Sequence, residues 1–195
     1  MSQVNEIIDF WFGSCTDAGY GKPREVWFSK ELDFDQTIRT RFLKDYEKAA
    51  LGYLDDWKAA PLSSLALILL LDQFPRNMFR GTSEAFATDW EALSVAQHAI
   101  KQGYDRSLLP VQRWFIYLPF EHSENIEHQR CSVELFKQLS DDADSANAIQ
   151  YAIQHMEVIE RFGRFPHRNA ILGRTSTTEE KEFLKQPGQE LGVRS

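Results

Sequence analysis

The sequence predicts an all-α protein, with antiparallel helical hairpins packed in series. Three observations predict it. Apolar residues recur at the helical period in nearly every segment, and no stretch alternates as a strand does. Helix-opening and helix-closing residues punctuate those periodic segments. The connections between them are short, which favours antiparallel neighbours.

The elements follow in order. Asn5–Phe12 reads as a short helix closed by Gly13, and 13–23, with three glycines and Pro23, as a loop. Asp33 with Gln36 has the spacing of a capping box and opens a helix to about Leu51, closed by Gly52. A helix from about Leu62 to Phe74 is expected to stop before Pro75, because proline disfavours helical geometry in the residue before it. Thr82 or Ser83 caps a helix from about Glu84 to Gln102, and Gly103 closes it. Pro110–Leu118 is short and aromatic, and Pro119 precedes a helix from about Phe120 to Leu139. Asp141–Ser145 starts a long helix ending near Gly163. Ser176 with Glu179 is a second capping-box candidate and opens a short last helix. The expected organisation is one helical domain over 1–186 and a flexible tail over 187–195.

Composition narrows the function classes. A chain of 195 residues can bury one substantial core, and 14 Phe, 6 Tyr and 5 Trp make that core ring-rich. The formal charge of −7 argues against nucleic acid and anionic lipid as partners. The most apolar run, Leu65–Leu71, is far shorter than the roughly 20 residues of a membrane span. The first residues, with Asn5, Glu6 and Asp9, do not read as a secretory leader. Two cysteines are too few for a disulfide framework. Together these make a cytoplasmic protein the expectation.

One internal echo stands out. Asp72-Gln73-Phe74-Pro75-Arg76-Asn77 is followed by Arg80-Gly81-Thr82-Ser83. Gly163-Arg164-Phe165-Pro166-His167-Arg168-Asn169 is followed by Gly173-Arg174-Thr175-Ser176. Each copy ends an apolar helix on Phe-Pro, sets Arg-Asn beyond it and closes on Thr-Ser. The segments LLLDQFPRNMFRGT (69–82), AFATDWEAL (85–93), YLPFEHSE (117–124) and RFGRFPHRNAILGR (161–174) resemble domain-of-unknown-function family 924. The resemblance runs from the opening DFWFG to the final helix. It implies a tetratricopeptide-like helical fold, although no tetratricopeptide consensus is present. It implies no activity, so no catalytic residue follows from it.

The chemistry lies in polar residues set among apolar helix faces. At about 100° per residue, Asp89 falls in the stripe of Phe86, Trp90, Leu93, Ala96 and Ile100. Glu160 continues the stripe of Ile149, Ile153 and Met156, and His155 lies in a second stripe with Tyr151, Val158 and Phe162. Glu121, Glu124 and His128 share one face of the helix placed at 120–139. The tryptophans read as core. A buried carboxylate needs a partner. The two Phe-Pro segments supply Arg76, Arg80, Arg164, Arg168 and Arg174.

Two readings follow. In the first, Asp72, Asp89, Glu121, Glu124 and Glu160 neutralise the arginines, which staple loops to helices; Glu160 is expected to be buried against the 164–174 loop. In the second, the two Phe-Pro segments meet and present Arg76, Arg80, Arg168 and Arg174, with His122 and His155, to a small anion or an acidic peptide end. That describes a binding or scaffold protein. The alternative is an enzyme acting on a phosphorylated or carboxylated metabolite, with His122, His155 or Glu124 doing acid–base work. Glu121, Glu124 and His128 have spacing for a metal, but neither the Glu-x-x-His pair nor His-Glu-x-x-His is present, and no metal or cofactor is expected. No glycine-rich phosphate loop or nucleophile elbow occurs.

Overall fold

The segment 64–78 forms the buried axis of the molecule. In the computed structural model, which describes residues 3–186, every residue from Ser64 to Met78 is buried. A helical segment buried on every face, apolar over Leu65–Leu71 and polar at Asp72, Gln73, Arg76 and Asn77, can be satisfied only by neighbours on all sides. The described residues are helical and contain no strand. The helices are α1 (Gln3–Phe12), α2 (Leu32–Ala50), α3 (Pro61–Ile68), α4 (Phe74–Met78), α5 (Asp89–Gln102), α6 (Pro110–Glu121), α7 (Ile126–Lys137), α8 (Ala146–Phe162) and α9 (Thr178–Leu184). The axis, α3 with α4, packs against α2, α5 and α6, and α6, α7 and α8 follow as sequential neighbours. No helix among the described residues is long and apolar enough to cross a membrane. The tail expected at 187–195 lies outside the described residues.

Aromatic rings join the amino-terminal part to this axis. Trp11 stacks on Trp27 at 6.1 Å, and Phe115 meets Trp27 edge-on at 5.0 Å. The Trp27 indole donates to the Trp11 carbonyl (2.8 Å). A smaller cluster of Val158, Ile159, Phe165 and Phe183 seats α9.

Proline does not end helices where the sequence reading placed the ends. The axis passes through Pro75 by way of a π turn at Leu69–Gln73, in which the Phe74 amide reaches back to the Leu69 carbonyl. Proline has no N–H and crowds the carbonyl four residues earlier, here that of Leu71. The Thr88 hydroxyl takes over that carbonyl at 2.6 Å. Pro119 likewise lies inside α6, and the chain breaks at 122–125, where Asn125 caps α7 by accepting from the Glu127 amide (2.8 Å).

The helix starts also shift. α2 opens at Leu32 without a side-chain cap, so Asp33 and Gln36 form no capping box. Thr82 does not cap; Ser83–Phe86 is a separate 3₁₀ turn before α5. The last capping box is Thr177 with Glu180, one residue beyond the expected pair. The expected glycine closures of α5 and α8 are present: Gly103 and Gly163 take positive φ (70° and 69°), which glycine adopts without a Cβ penalty.

Candidate functional site

The π turn adds a residue to the axis and carries Asp72, Gln73 and Arg76 inward. Asp72 has no solvent-accessible surface. It accepts from Gln73 Nε2 (2.6 Å) and from the His122 ring at Nδ1 (2.7 Å), and Arg76 Nη1 lies 3.5 Å away. Burial alone would raise the Asp72 pKa, but Arg76, His122 and the Gln73 hydrogen bond hold it well below the ordinary carboxylate range. Arg76 in turn grips Asp89, at the first residue of α5, through both terminal nitrogens (2.7 and 3.0 Å), and donates to its own chain at the Asp72 carbonyl (2.7 Å).

The second Phe-Pro segment arrives from the other side. Arg168 lies with its guanidinium 4.8 Å from the Phe86 ring centre and 4.5 Å from that of Phe165; Arg76 lies 5.5 Å from the same Phe86 ring. The two copies of the echo therefore place their Arg-Asn arginines on one aromatic side chain. Their partners differ. Among the described residues Arg168 donates one hydrogen bond, from Nη1 to the His122 carbonyl (3.0 Å), and its Nε has no acceptor. Asp89 is 3.7 Å from Nη1, too far for a hydrogen bond. Burial, followed by the like charge of Arg76, lowers the Arg168 pKa to about 10 against the pull of nearby acids.

These groups wall a cavity of about 460 Å³. Gln73, Arg76, Glu121, His122, His155, His167 and Arg168, with Asp144 and Asn147, are on its polar side, and Phe28, Phe86, Trp114, Leu118 and Phe136 on its apolar side. Glu121, at the end of α6, has its pKa raised to about 8 by burial and by the charge of Asp72, and its Oε2 has no hydrogen-bond partner. His155 Nδ1 lies 3.2 Å from Glu121 Oε1 and 2.8 Å from the Tyr151 carbonyl. Because a carbonyl only accepts, Nδ1 carries the proton. His167 is held neutral, with its pKa lowered to about 3 by burial and then by Arg168.

The other candidates lie elsewhere. Arg80 is engaged by Asp35, through Nε and Nη2 at 2.8 Å each, and does not line the cavity. Arg174 grips Glu124 (2.7 and 2.9 Å), and Arg164 grips Glu180 (2.6 and 2.9 Å). The Arg164 hydrogen bond holds Glu180 down at about 2. Glu160 is exposed and pairs with no described residue. The buried stripe of α8 runs through Ala152, His155 and Ile159, which turns Glu160 outward. Glu121, Glu124 and His128 share no helix face, because the chain breaks between them, and no described group of three or more His, Cys, Asp or Glu is placed to hold a metal. Trp90 is 72% exposed instead of core.

Sequence reasoning missed Asp35 and Glu180, whose partners come from distant elements at no fixed spacing. It also missed His167 as a cavity residue, although its place beside Arg168 in the echo was a usable signal.

A family model described as "Bacterial protein of unknown function (DUF924)" matches residues 7–188. The chain belongs to this family. The resemblance of the sequence to family 924 is thereby established. A solved structure of a protein of unknown function, ATU0120 from Agrobacterium tumefaciens, is similar at 41% identity and a TM-score of 0.83, over 93% of this chain and 96% of that one. No curated protein matches. The four segments that carry the resemblance to DUF924 all meet at the cavity. Segment 69–82 brings Gln73 and Arg76, 85–93 brings Phe86, 117–124 brings Glu121 and His122, and 161–174 brings His167 and Arg168.

Proposed function

We propose that this DUF924 protein binds a small organic anion with a flat apolar body. Arg168 carries the reading: a buried guanidinium on the wall of a cavity, whose Nη2 has no acceptor among the described residues, undercompensated by the carboxylates around it. A buried cation with spare donors favours a bound carboxylate or phosphate. The aromatic walls fit a planar or hydrocarbon body. The volume falls within the roughly 300–1,000 Å³ of small-molecule sites, which favours a metabolite over a peptide end. The tetratricopeptide-like scaffold reading finds support in helices that pack in sequence, and the cytoplasmic reading in two free cysteines, one exposed. The net charge of −7 supports the absence of nucleic-acid and membrane partners.

The test is a thermal-shift and calorimetric panel of aromatic carboxylates, phosphate and phosphate monoesters at constant ionic strength. A ligand at a hundredfold excess over its dissociation constant stabilises by about 2.7 kcal/mol. Arg168→Gln should abolish the shift and leave the fold intact. Arg80→Gln should keep the binding while costing about 2 kcal/mol of stability, since it breaks charged hydrogen bonds away from the cavity. A flat panel, or equal shifts in wild type and Arg168→Gln, overturns the proposal.

A further inference from the structure

We infer that the anion bound in this cavity carries a hydroxyl beside its charged group, and that His122 accepts the hydrogen bond from that hydroxyl. The inference rests on the anion reading above and adds a second recognition element to it.

The argument begins at Asp72. It is fully buried and ionised, so it can only accept, and His122 Nδ1 at 2.7 Å must be the donor. That fixes the ring as the Nδ1–H tautomer. The burial of His122, and after it the charge of Arg76, lowers its pKa, so the ring is neutral at neutral pH. A neutral ring protonated on Nδ1 has a lone pair on Nε2, at the opposite edge. Since Nδ1 is turned to Asp72, which lies behind the cavity wall, Nε2 is turned to the cavity that His122 lines. No described group donates to it, and it is not among the sealed unpartnered atoms, so it retains accessible surface. The His122 carbonyl accepts from Arg168 Nη1 at 3.0 Å, so the acceptor and the undercompensated cation belong to touching residues. A ligand spanning both presents a negative group to Arg168 and a hydroxyl hydrogen to His122. A hydroxy acid of the 2-hydroxycarboxylate type has both on adjacent carbons, with a side chain left for the aromatic walls.

The test uses a matched pair, 3-phenyllactate and 3-phenylpropionate, which differ by one hydroxyl. Binding is measured by calorimetry and by the fluorescence of Trp114, with Trp114→Phe as the control that assigns the signal. Phenyllactate should bind at least about tenfold more tightly, the worth of one well-formed hydrogen bond. In His122→Asn, an amide N–H replaces Nδ1–H toward Asp72 and no acceptor replaces Nε2, so the two affinities should become equal. Equal affinities in wild type overturn the inference and leave the anion site standing. Binding of neither acid, or binding untouched by Arg168→Gln, removes the anion reading and this inference with it. A long-range ¹⁵N correlation spectrum of the wild-type protein at neutral pH checks the tautomer without any variant. A protonated Nε2 overturns the inference whatever His122→Asn does.

Discussion

At the level of single residues, burial more than pairing sets the charge state of the cavity. Glu121 ionises at about 4.5 in an unfolded chain and at about 8 in the fold. Between those values the folded protein holds a proton that the unfolded chain has lost, so stability falls as pH rises through this window. His167 runs the other way. Its pKa drops from 6.5 to about 3, so below 6.5 the unfolded chain takes up a proton that the fold refuses, and stability falls on acidification. Glu121→Gln should therefore raise the melting temperature at pH 8 and leave it unchanged near pH 4. Several degrees are expected, given about 2–4 °C per kcal/mol in a chain of this size. Melting curves that stay parallel across that range would show that Glu121 is not the group responsible. The sequence revealed which arginines and histidines to examine, because the echo aligned Arg76 with Arg168. It did not reveal Glu160's exposure, since a helix whose polar face is narrow leaves the buried stripe uncertain by one position, about 100°.

Among the elements, the π turn before Pro75 is the least legible from the sequence. Both Pro75 and Pro119 read as stops and both lie inside helices, because proline costs one hydrogen bond and one steric clash that a local change of pitch and an outside donor can absorb. The outside donor for Pro75 is Thr88, seventeen positions from the carbonyl it serves, and no local pattern announces it. Thr88→Val keeps the volume and strands the buried Leu71 carbonyl. It should cost about 1–3 kcal/mol, whereas Thr88→Ser should recover most of it. Denaturant titrations of the two variants decide: equal midpoints would mean that the carbonyl finds another partner. The glycine-closed ends of α5 and α8 were legible because a positive φ after a helix leaves a residue-type signature in the sequence itself.

Across the whole molecule, stability is unevenly distributed. The main cluster spans α1 to α8, while α9 rests on a small patch around Phe165 and Phe183 and is tied down by Arg164–Glu180. Few buried apolar contacts mean a low local opening free energy. Hydrogen exchange should find α9 amides exchanging well before those of α3 and α6. Arg174→Gln, which releases Glu124 and the Phe165 carbonyl, should accelerate exchange over 163–184 and leave α3 unchanged. Uniform acceleration would instead place the ion pair within the global unfolding unit. The all-helical class was legible at this scale because periodicity is a property of whole segments. The way four separated segments converge on one cavity was not, because convergence depends on packing angles that no single helix encodes.

Asp89 has a consequence for any ligand. Its carboxylate binds Arg76 through two hydrogen bonds and leans toward Arg168 at 3.7 Å, so the two arginines that line the cavity already share an anion covalently attached to the protein. A tethered competitor acts at an effective concentration of about millimolar or more. On the proposed function, an incoming carboxylate would gain access to Arg76 only by displacing or sharing with this resident, whereas Arg168 Nη2 has no acceptor among the described residues. If the proposed anion site holds, chloride, phosphate and simple acids would bind more weakly than a molecule that adds contacts Asp89 cannot make. Asp89→Asn should erase that filter. Small anions such as phosphate and acetate should then bind more tightly than they do to the wild-type protein, and the discrimination between them and a larger aromatic acid should shrink.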